Sequence, residues 1–202
     1  MELNQLEPIF EPGKAALLVC DMQNDYVKPK GEPSPRMASI IAAQTRLLER
    51  VRAQGLPVGY TRRCYRKDGL HSTPMLKLWL GDRAGVCWEG TWGAEIVDEL
   101  APRPGDFLVE KIRYSAFYQT PLEALLRGLG VRYLILSGVS THWGVEAAAR
   151  DAEQRDLIPI VVSDACTSSP DEQLHEASLR IIAAFIGFVA TTDQALVLLS
   201  KV

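Results

Sequence analysis

The chain reads Gly138-Val139-Ser140-Thr141-His142-Trp143-Gly144-Val145-Glu146 at the point where an apolar run gives way to a helical pattern. The run before it, Tyr133-Leu134-Ile135-Leu136, is typical of a buried strand, and the alanine-rich segment 147–152 after it is typical of a helix. The turn between them leaves backbone N–H groups at a helix N-terminus. Such groups stabilise developing negative charge, so this turn is a candidate functional site.

Strand and helix patterns alternate along most of the chain. Apolar runs predict six strands, at Lys14–Met22, Pro57–Thr61, Phe107–Lys111, Tyr133–Val139, Ile158–Ser163 and Phe188–Thr191. Helical spacing predicts the helices Ala38–Gln54, Thr120–Leu129, His142–Arg155, Pro170–Phe185 and Asp193–Leu199. We therefore expect one α/β domain over residues 1–202, a three-layer α/β/α sandwich. Its six-stranded, mostly parallel sheet is expected in the order 3-2-1-4-5-6 with right-handed crossovers.

The segment Arg62–Arg103 lacks this regularity. It contains several glycines and tryptophans, Gly69, Gly81, Gly85, Gly90, Gly93, Trp79, Trp88 and Trp92. A connection of this length is more often functional than idle. We interpret it as loops and short helices that cover the site, with one helix at Ala94–Leu100.

Composition excludes several classes of function. The net charge of −3 gives no electrostatic reason to expect nucleic acid or an acidic membrane as a partner. The sequence has no apolar stretch near the roughly 20 residues of a membrane span and no secretory leader pattern. The four cysteines lack the close pairing of a zinc site or a disulfide scaffold. We expect a cytoplasmic protein with free thiols.

Polar side chains follow several of the predicted strands. Asp21 ends the first strand, Lys111 ends the third, and Ser140-Thr141 follows the fourth. Parallel sheets bind ligands beyond the carboxyl ends of their strands, so these residues are expected to converge. Asp21 is interpreted as a general acid/base, or else as the cap of the following turn, and Lys111 as the cation beside it.

Arginines after the second strand are candidates for receiving an anionic substrate. Arg62 is expected to bind the substrate, and Arg63 and Arg66 are further candidates. Alternatively, all three side chains lie on the solvent-exposed surface. Arg113 has the same fork for binding a carboxylate.

Three segments carry a resemblance to a known family. They are Asp21-Met22-Gln23-Asn24-Asp25-Tyr26, Lys111-Ile112-Arg113-Tyr114-Ser115-Ala116-Phe117 and 138–151, followed by Ser163-Asp164-Ala165-Cys166 and Thr191-Thr192. In order and spacing they resemble the isochorismatase-like hydrolase superfamily over nearly the whole chain. The resemblance implies a catalytic Asp21 and Lys111 and a cis peptide between Val139 and Ser140. It also implies an oxyanion site of backbone donors near Ser140 and Gly144.

The family's nucleophilic cysteine falls on Gly144, which has no side chain. Many members of the superfamily are amidases that need a thiolate. True isochorismatases lack the cysteine and hydrolyse a vinyl ether, by protonation of the double bond and addition of water to the oxocarbenium ion. The run Thr141-His142-Trp143-Gly144 is similar to theirs, whereas Ser140 departs from their usual tyrosine and Val145-Glu146 follows the amidase-like pattern.

The resemblance therefore implies a hydrolase of a small, carboxylated substrate that works without a cysteine nucleophile. The expected catalytic positions are Asp21, Lys111 and Gly144. The expected substrate-binding residues are Gln23, Arg62, Tyr114, Phe117, Val139, Ser140, Thr141, His142 and Trp143. No cofactor is expected, and no metal, because only Asp68 and His71 match the ligand pattern of nicotinamidase-type relatives. Members of the superfamily are usually oligomeric, so the resemblance implies a homo-oligomer, either a dimer or a tetramer.

Two alternatives stay open. An amidohydrolase of the same superfamily would need a relocated nucleophile, for which Cys64 is the candidate, since Cys20 shares the strand of Asp21 and points to the opposite face. A catalytically inactive homologue that binds a small molecule is the other alternative.

Overall fold

Six strands follow the six apolar runs of the sequence. The computed structural model describes residues 1–80, 86–168 and 171–200, so the predicted positions of Gly81, Gly85 and Pro170 lie outside the described residues. The strands are β1 (Ala15–Cys20), β2 (Val58–Arg63), β3 (Phe107–Lys111), β4 (Tyr133–Val139), β5 (Ile158–Thr167) and β6 (Phe188–Ala190). β5 continues past its predicted end at Ser163, because its last residues pair with the end of β4.

The strands form one sheet in the order β3-β2-β1-β4-β5-β6, and every adjacent pair is parallel. The predicted order is confirmed, and the sheet is fully rather than mostly parallel. The chain leaves β1 for β2 and β3 on one side and then returns to β4 on the other side. The order thus reverses at β1 and β4, whose carboxyl ends border the crevice where such sheets bind ligands.

Helices cover the sheet and are joined by shorter turns. The α-helices are α1 (Leu3–Leu6), α2 (Asn24–Val27), α3 (Pro35–Ala53), α4 (Pro74–Leu80), α5 (Leu122–Gly128), α6 (Glu146–Glu153), α7 (Glu172–Ile181) and α8 (Thr192–Leu199). Short 3-10 turns occur at Pro12–Lys14, Trp92–Ala94 and Asp98–Leu100, and wider π-helical turns at Thr141–Val145 and Ile182–Ile186. Within the described residues, no helix is long and apolar enough to cross a membrane.

Two helix predictions differ from the structure for local reasons. α3 begins at Pro35 rather than Ala38, because the Ser34 hydroxyl accepts the Met37 N–H and proline is favoured in the first helical turn. The helix predicted over Ala94–Leu100 is wrong. Residues 95–97 are extended there, since the Glu95 carbonyl accepts the Asn24 N–H and the Val97 N–H donates to the Met22 carbonyl.

The core lies on both faces of the sheet. Ala15, Leu17 and Val19 pack into one apolar cluster with residues of α3 and α8, and the alternate residues Ala16, Leu18 and Cys20 pack into a second cluster with residues of α5 and α6. This alternation follows from the two-residue repeat of a strand. The two clusters confirm the three-layer arrangement and explain why β1 reads as a continuous apolar run.

Gly138 determines how closely β4 approaches β1 beside the crevice. Its φ is +121°, and a Cβ atom there would lie 2.0 Å from the Cys20 carbonyl oxygen. Any other residue would have to move the backbone of β1 or β4. Glycine at this position therefore fixes the distance between Asp21, which follows Cys20, and the turn that follows β4.

Candidate active site

Asp21 and Lys111 form a buried ion pair at the carboxyl ends of β1 and β3. The Lys111 Nζ lies 2.7 Å from Asp21 Oδ2, and the side chains are only 1% and 3% exposed, respectively. The ammonium also donates to the carbonyl oxygens of Tyr114 at 2.8 Å and Arg113 at 3.3 Å. An ammonium has three donors, so these three contacts account for all of them. The predicted convergence of Asp21 and Lys111 is therefore confirmed.

The backbone at Asp21 and a hydroxyl from β2 hold the carboxylate in place. Asp21 has a φ of +52°, a left-handed conformation that aspartate tolerates better than most residues. Its N–H donates to the Thr61 carbonyl, which ends the β1 ladder, and the Thr61 hydroxyl donates to Asp21 Oδ1 at 2.6 Å. β2 lies between β1 and β3, so Thr61 supports the carboxylate from the intervening strand.

Gly144 faces this pair from the turn after β4. A Cβ atom at Gly144 would lie 3.3 Å from Asp21 Oδ2 and 3.6 Å from Lys111 Nζ. The position to which the resemblance assigns the nucleophilic cysteine is therefore directed at Asp21 and Lys111 and carries no side chain. The peptide bond between Val139 and Ser140 is cis, as the resemblance implies.

A small cavity separates the ion pair from the turn. It has a volume of about 50 Å³, and its lining residues are Asp21, Tyr26, Arg63, Val139, Ser140, Trp143 and Gly144. The predicted residues Val139, Ser140 and Trp143 thus contribute to its walls. In the turn itself, the N–H groups of Trp143 and Val145 both donate to the Ser140 carbonyl, so these two donors are already engaged.

Tyr114 and Gln23 lie close to the site in different roles. The Tyr114 ring stacks on Trp143 with centroids 5.8 Å apart, and its carbonyl accepts from Lys111. The Gln23 side chain is fully buried, and both ends of its amide bind backbone. Its Nε2 donates to the carbonyls of Arg63 and Ala94, and its Oε1 accepts the Arg63 N–H. Gln23 therefore positions the chain after β2 and does not line the cavity.

Arg62 does not reach the cavity, contrary to the choice made from the sequence. Its guanidinium binds Glu110 and Glu95 at the surface. Burial lowers the pKa of Arg62, but the hydrogen bond to Glu110 and the charges of Glu110 and Glu95 raise it, and the net shift is upward. Adjacent residues of a strand point to opposite faces, so only one of Arg62 and Arg63 can face Asp21. That residue is Arg63.

Arg63 is a buried cation beside the Asp21–Lys111 ion pair. Its Nε lies 3.7 Å from Asp21 Oδ2, its Nη1 donates to the Tyr65 hydroxyl at 3.0 Å, and its guanidinium lies 4.8 Å from the Tyr114 ring centroid. Burial alone would lower the pKa of Arg63, but Tyr26, Asp21 and Tyr65 raise it, and the net shift is upward. The guanidinium therefore stays charged in the cavity wall.

Three further predicted binding residues do not line the cavity either. Phe117 is buried in the apolar cluster beneath α5 and α6, with the Arg155 guanidinium over its ring. The Thr141 hydroxyl is buried against His175 Nδ1 at 2.8 Å, and the His142 ring packs against Trp143. Burial lowers the pKa of His142. Thr141 and His142 thus anchor the turn through His175 and Trp143, whereas Phe117 belongs to the apolar core.

Two site residues were missed from the sequence, Tyr26 in the cavity wall and the Thr61 hydroxyl on Asp21. Tyr26 belongs to the quoted segment that begins at Asp21, so its proximity was a usable signal. Thr61 is the last residue of the predicted second strand, but its contact depends on the register between β1 and β2. That register pairs Cys20 with Thr61 and is not visible in either strand alone.

None of the cysteines resembles an activated nucleophile. Burial raises the pKa of Cys20 and of Cys87 to about 12 and also raises that of Cys166. Cys64 is partly exposed and lines a different cavity, of about 350 Å³, together with Glu89 and Glu110. Burial and the charge of Glu110 raise its pKa. In the described parts of the chain, no group of three or more His, Cys, Asp or Glu residues is placed to hold a metal ion.

Comparisons with known proteins identify the family to which the chain is similar. The model of the isochorismatase domain matches residues 15–194. The chain is 33% identical to ureidoacrylate amidohydrolase RutB of Methylobacterium radiotolerans, over 91% of this chain and 79% of that protein. It is 34% identical to enterobactin synthase component B of Escherichia coli, over 96% of this chain but only 66% of that protein.

Solved structures give the same family. The structure superposes on a cysteine hydrolase from Pseudomonas syringae with a TM-score of 0.85 and 29% identity, covering 94% of this chain and 93% of that one. It superposes on N-carbamoylsarcosine amidase from Thermoplasma acidophilum with a TM-score of 0.75 and 30% identity, covering 89% and 97%. With the domain match over most of its length, this chain belongs to the isochorismatase family of hydrolases.

Proposed function

We propose that this hydrolase cleaves the vinyl ether of a small carboxylated molecule of the isochorismate type. Asp21 and Lys111 carry the acid–base chemistry, and no cysteine nucleophile takes part. The observation that carries the proposal is Gly144, which faces an intact Asp21–Lys111 pair without a side chain. Vinyl-ether hydrolysis needs a proton donor and a water molecule, whereas the thioester chemistry of the amidases needs a thiolate.

The proposed reaction uses one water molecule and returns Asp21 to its starting state. In the free site Asp21 is a carboxylate paired with Lys111. In the complex with the anionic substrate it carries a proton and gives that proton to the terminal methylene carbon, which leaves an oxocarbenium ion beside the Asp21 carboxylate. Water adds to that cation and gives a proton back to Asp21. In the resulting hemiketal the hydroxyl proton passes to the ether oxygen as the bond from the carbon to that oxygen breaks, which releases an alcohol and a 2-oxo acid.

Lys111 and Thr61 support both charge states of Asp21 in this scheme. When the proton leaves, the ammonium at 2.7 Å and the hydroxyl at 2.6 Å stabilise the carboxylate. The carboxylate in turn stabilises the oxocarbenium ion, because preorganised charge acts strongly in a water-poor site. Two backbone carbonyls hold the ammonium, so it does not need to move during the reaction.

An amidohydrolase is the second candidate, favoured by the similarity to RutB and to N-carbamoylsarcosine amidase. That reaction would need Cys64 as its nucleophile. Cys64 does not line the cavity at Gly144; it lines the cavity of about 350 Å³, which Lys111 also lines. Its raised pKa keeps the thiol protonated at neutral pH. A non-catalytic binding role is disfavoured for another reason: a buried ion pair contributes little to stability, so its presence without turnover has no evident benefit.

One experiment separates the three functions. The purified protein is incubated with isochorismate and with a panel of small amides and ureas, and the products are identified by NMR. We expect release of a 2-oxo acid from isochorismate and no loss of turnover after iodoacetamide treatment. Amide hydrolysis that iodoacetamide blocks and Cys64→Ser abolishes would replace this proposal with the amidohydrolase. Binding without any product would establish the non-catalytic role.

The same proposal includes a cytoplasmic location and a homo-oligomer, either a dimer or a tetramer. Four free cysteines are compatible with a reducing compartment. The exposed apolar side chains of Phe185 and Val197, 82% and 62% accessible, are candidates for contacts between copies of the chain. Light scattering on the eluted protein measures the oligomer directly, and a monomeric mass would exclude this part of the proposal.

A further inference from the structure

Arg63 lies where two cavities meet. It belongs to the wall of the small cavity at Asp21 and Gly144, and also to the wall of an adjoining cavity of about 430 Å³. The other residues that line the larger cavity are Tyr65, Thr73, Pro74, Met75, Ile112, Arg113 and Tyr114. Most of these present apolar or aromatic surface. A molecule that reaches Asp21 from the larger cavity therefore passes the Arg63 guanidinium.

The buried charges beside this guanidinium do not balance. Asp21 is the only carboxylate among the described residues that forms an ion pair with Arg63, and its Oδ2 is 3.7 Å away. The same oxygen lies 2.7 Å from Lys111, so the ammonium is the closer partner. Two buried cations thus share one buried anion. Buried charge is costly without a matching partner, and a bound anion would supply the missing negative charge.

The position of Arg63 is fixed before any ligand binds. Gln23 binds both the N–H and the carbonyl of Arg63, at 2.7 Å each. Within the described part of the chain, the only hydrogen bond that the guanidinium donates goes to the Tyr65 hydroxyl, and the Tyr114 ring lies alongside. A guanidinium has five N–H donors in a fixed fork, so a pair of them remains for a carboxylate. Preorganisation of this kind lowers the entropic cost of binding.

We propose that Arg63 is the specificity-determining residue of the site and binds the carboxylate next to the reacting double bond of the substrate. In a 2-alkoxyacrylate the carboxylate and the methylene are attached to the same carbon. A carboxylate held at Arg63 therefore places the methylene beside Asp21, and the alkoxy group extends into the larger cavity. This inference rests on the proposed function for the reacting bond, but the carboxylate site itself does not depend on turnover.

Arg62 supplies a matched control. It is the same residue type in the same strand, one position earlier, but its guanidinium binds Glu110 and Glu95 on the other side. Arg62→Gln and Arg63→Gln remove the same charge from the protein. A general effect of net charge would appear in both variants, whereas an effect of the binding site would appear only in Arg63→Gln.

The first test measures binding without turnover. Calorimetry with pyruvate, the 2-oxo acid that such a substrate would release, is performed on the wild type and the two variants. We expect Arg63→Gln to weaken binding by about 10- to 100-fold, since a hydrogen-bonded charge pair is lost. Arg62→Gln should bind within about 2-fold of the wild type, as expected for an exposed pair. Equal pyruvate affinity in all three proteins would overturn the inference.

The second test compares an enolpyruvyl ether with its methyl ester. Arg63→Gln should lose kcat/KM on the acid, mainly through KM, and keep its activity on the ester. An equal loss on acid and ester would mean that Arg63 only supports Asp21, and the inference would fall. A wild type that hydrolyses neither compound, yet binds pyruvate through Arg63, would remove the proposed function and leave the carboxylate site in place.

Arg63→Lys keeps the test decisive if Arg63→Gln does not fold by circular dichroism. Lysine retains the charge but lacks the two-pronged fork. We expect weaker binding of pyruvate and a higher KM for the acid, with the ester unaffected. Unchanged values for both the acid and pyruvate would contradict a specific role for the guanidinium.

Discussion

Two ion pairs lie at the carboxyl edge of the sheet. Their contact distances are similar, but their solvent exposure and their surroundings differ. Asp21 and Lys111 are 2.7 Å apart, and Arg62 lies 2.9 Å from Glu110. The first pair is 3% and 1% exposed, while Arg62 and Glu110 are 21% and 53% exposed. The small cavity of about 50 Å³ and Gly144 lie beside the buried pair. The contact distance therefore does not distinguish the two pairs. They differ in that Asp21 and Lys111 are buried and lie beside a cavity that a substrate can enter.

The energetics of the two pairs differ in the same direction. Exposed pairs contribute about 0.2–1 kcal/mol, because water screens the charges and two long side chains must be ordered. Breaking a buried pair costs about 3–5 kcal/mol, yet replacing both partners by neutral groups is often harmless. The buried pair is thus a poor way to gain stability. Its presence opposite Gly144 is instead what the proposed acid–base mechanism requires.

Asp21→Asn should have the largest effect on activity. The change removes the proton donor while keeping the shape of the side chain, and asparagine tolerates the φ of +52°. We expect turnover of the vinyl ether to fall by about 10²- to 10⁴-fold, the usual contribution of a general acid. Steady-state kinetics with 2-oxo acid detection measures the loss.

Glu110→Gln is the matched control for Asp21→Asn, because it neutralises a carboxylate of the exposed pair. Its turnover should stay within about 2-fold of the wild type. A similar loss in both variants would mean that the site depends on general electrostatics. Full activity in Asp21→Asn would exclude the proposed proton donor.

Lys111→Met should have the largest effect on stability. Removal of the ammonium leaves the Asp21 carboxylate buried beside only Thr61 and the more distant Arg63, at a cost of about 3–5 kcal/mol in unfolding free energy. The double variant Asp21→Asn/Lys111→Met should recover part of that loss, because no unmatched charge remains from the pair. Urea unfolding of the two single variants and the double variant measures the coupling. Additive losses would show that the two groups do not interact.

Gly144→Ala should lower activity without lowering stability. The φ of Gly144 is not in the left-handed region, and the new Cβ would come no closer than 3.3 Å to a neighbouring atom. The methyl group would nevertheless enter the space beside Asp21 and displace the substrate. We expect kcat/KM to fall by about 10- to 100-fold. Unfolding free energy should change little, because the gain of about 0.4–1 kcal/mol from a less free unfolded chain is offset by the tight contact with Asp21 Oδ2. Unchanged kinetics would mean that the substrate does not occupy this cavity.

Gly144→Cys extends the same comparison. A thiol at this position would stand beside Asp21 and Lys111, in the arrangement that the resemblance assigns to the amidases. We expect the variant to acquire sensitivity to iodoacetamide and turnover of small amides. Gly144→Ser is the control for the added volume. An unreactive thiol in Gly144→Cys would show that the rest of the site is no longer suited to amide chemistry.

The positions of the strands and the meeting of Asp21 with Lys111 were predictable because both depend on features that are local in sequence. Strands buried on two faces appear as apolar runs, and polar residues that end such runs must meet at one edge of a parallel sheet. Asp21 and Lys111 are residues of this kind. The apolar pattern also locates β4 and the turn that carries Gly144, so the position that faces the pair follows from the same reasoning.

The rest of the site depends on which face of a strand each residue occupies and on contacts between residues that are distant in sequence. Whether Arg62 or Arg63 faces Asp21 depends on the face to which β2 presents each residue, and β2 is too mixed in composition to reveal it. Gln23 was expected to bind substrate, but it binds the backbone of Arg63 and Ala94, which lie far from it in sequence. The helix expected at Ala94–Leu100 does not form, because residues 95 and 97 make hydrogen bonds with residues 22–24, which are also distant in sequence.

Arg62→Gln should have the smallest effect of all. It breaks the exposed contacts with Glu110 and Glu95, so unfolding free energy should fall by about 0.2–1 kcal/mol. The loss should shrink further in 1 M salt, where the Debye length is about 3 Å. Urea unfolding at low and high salt measures both quantities. A loss as large and as salt-insensitive as that of Lys111→Met would mean that the exposed pair is not screened by solvent, and the contrast between the two ion pairs would disappear.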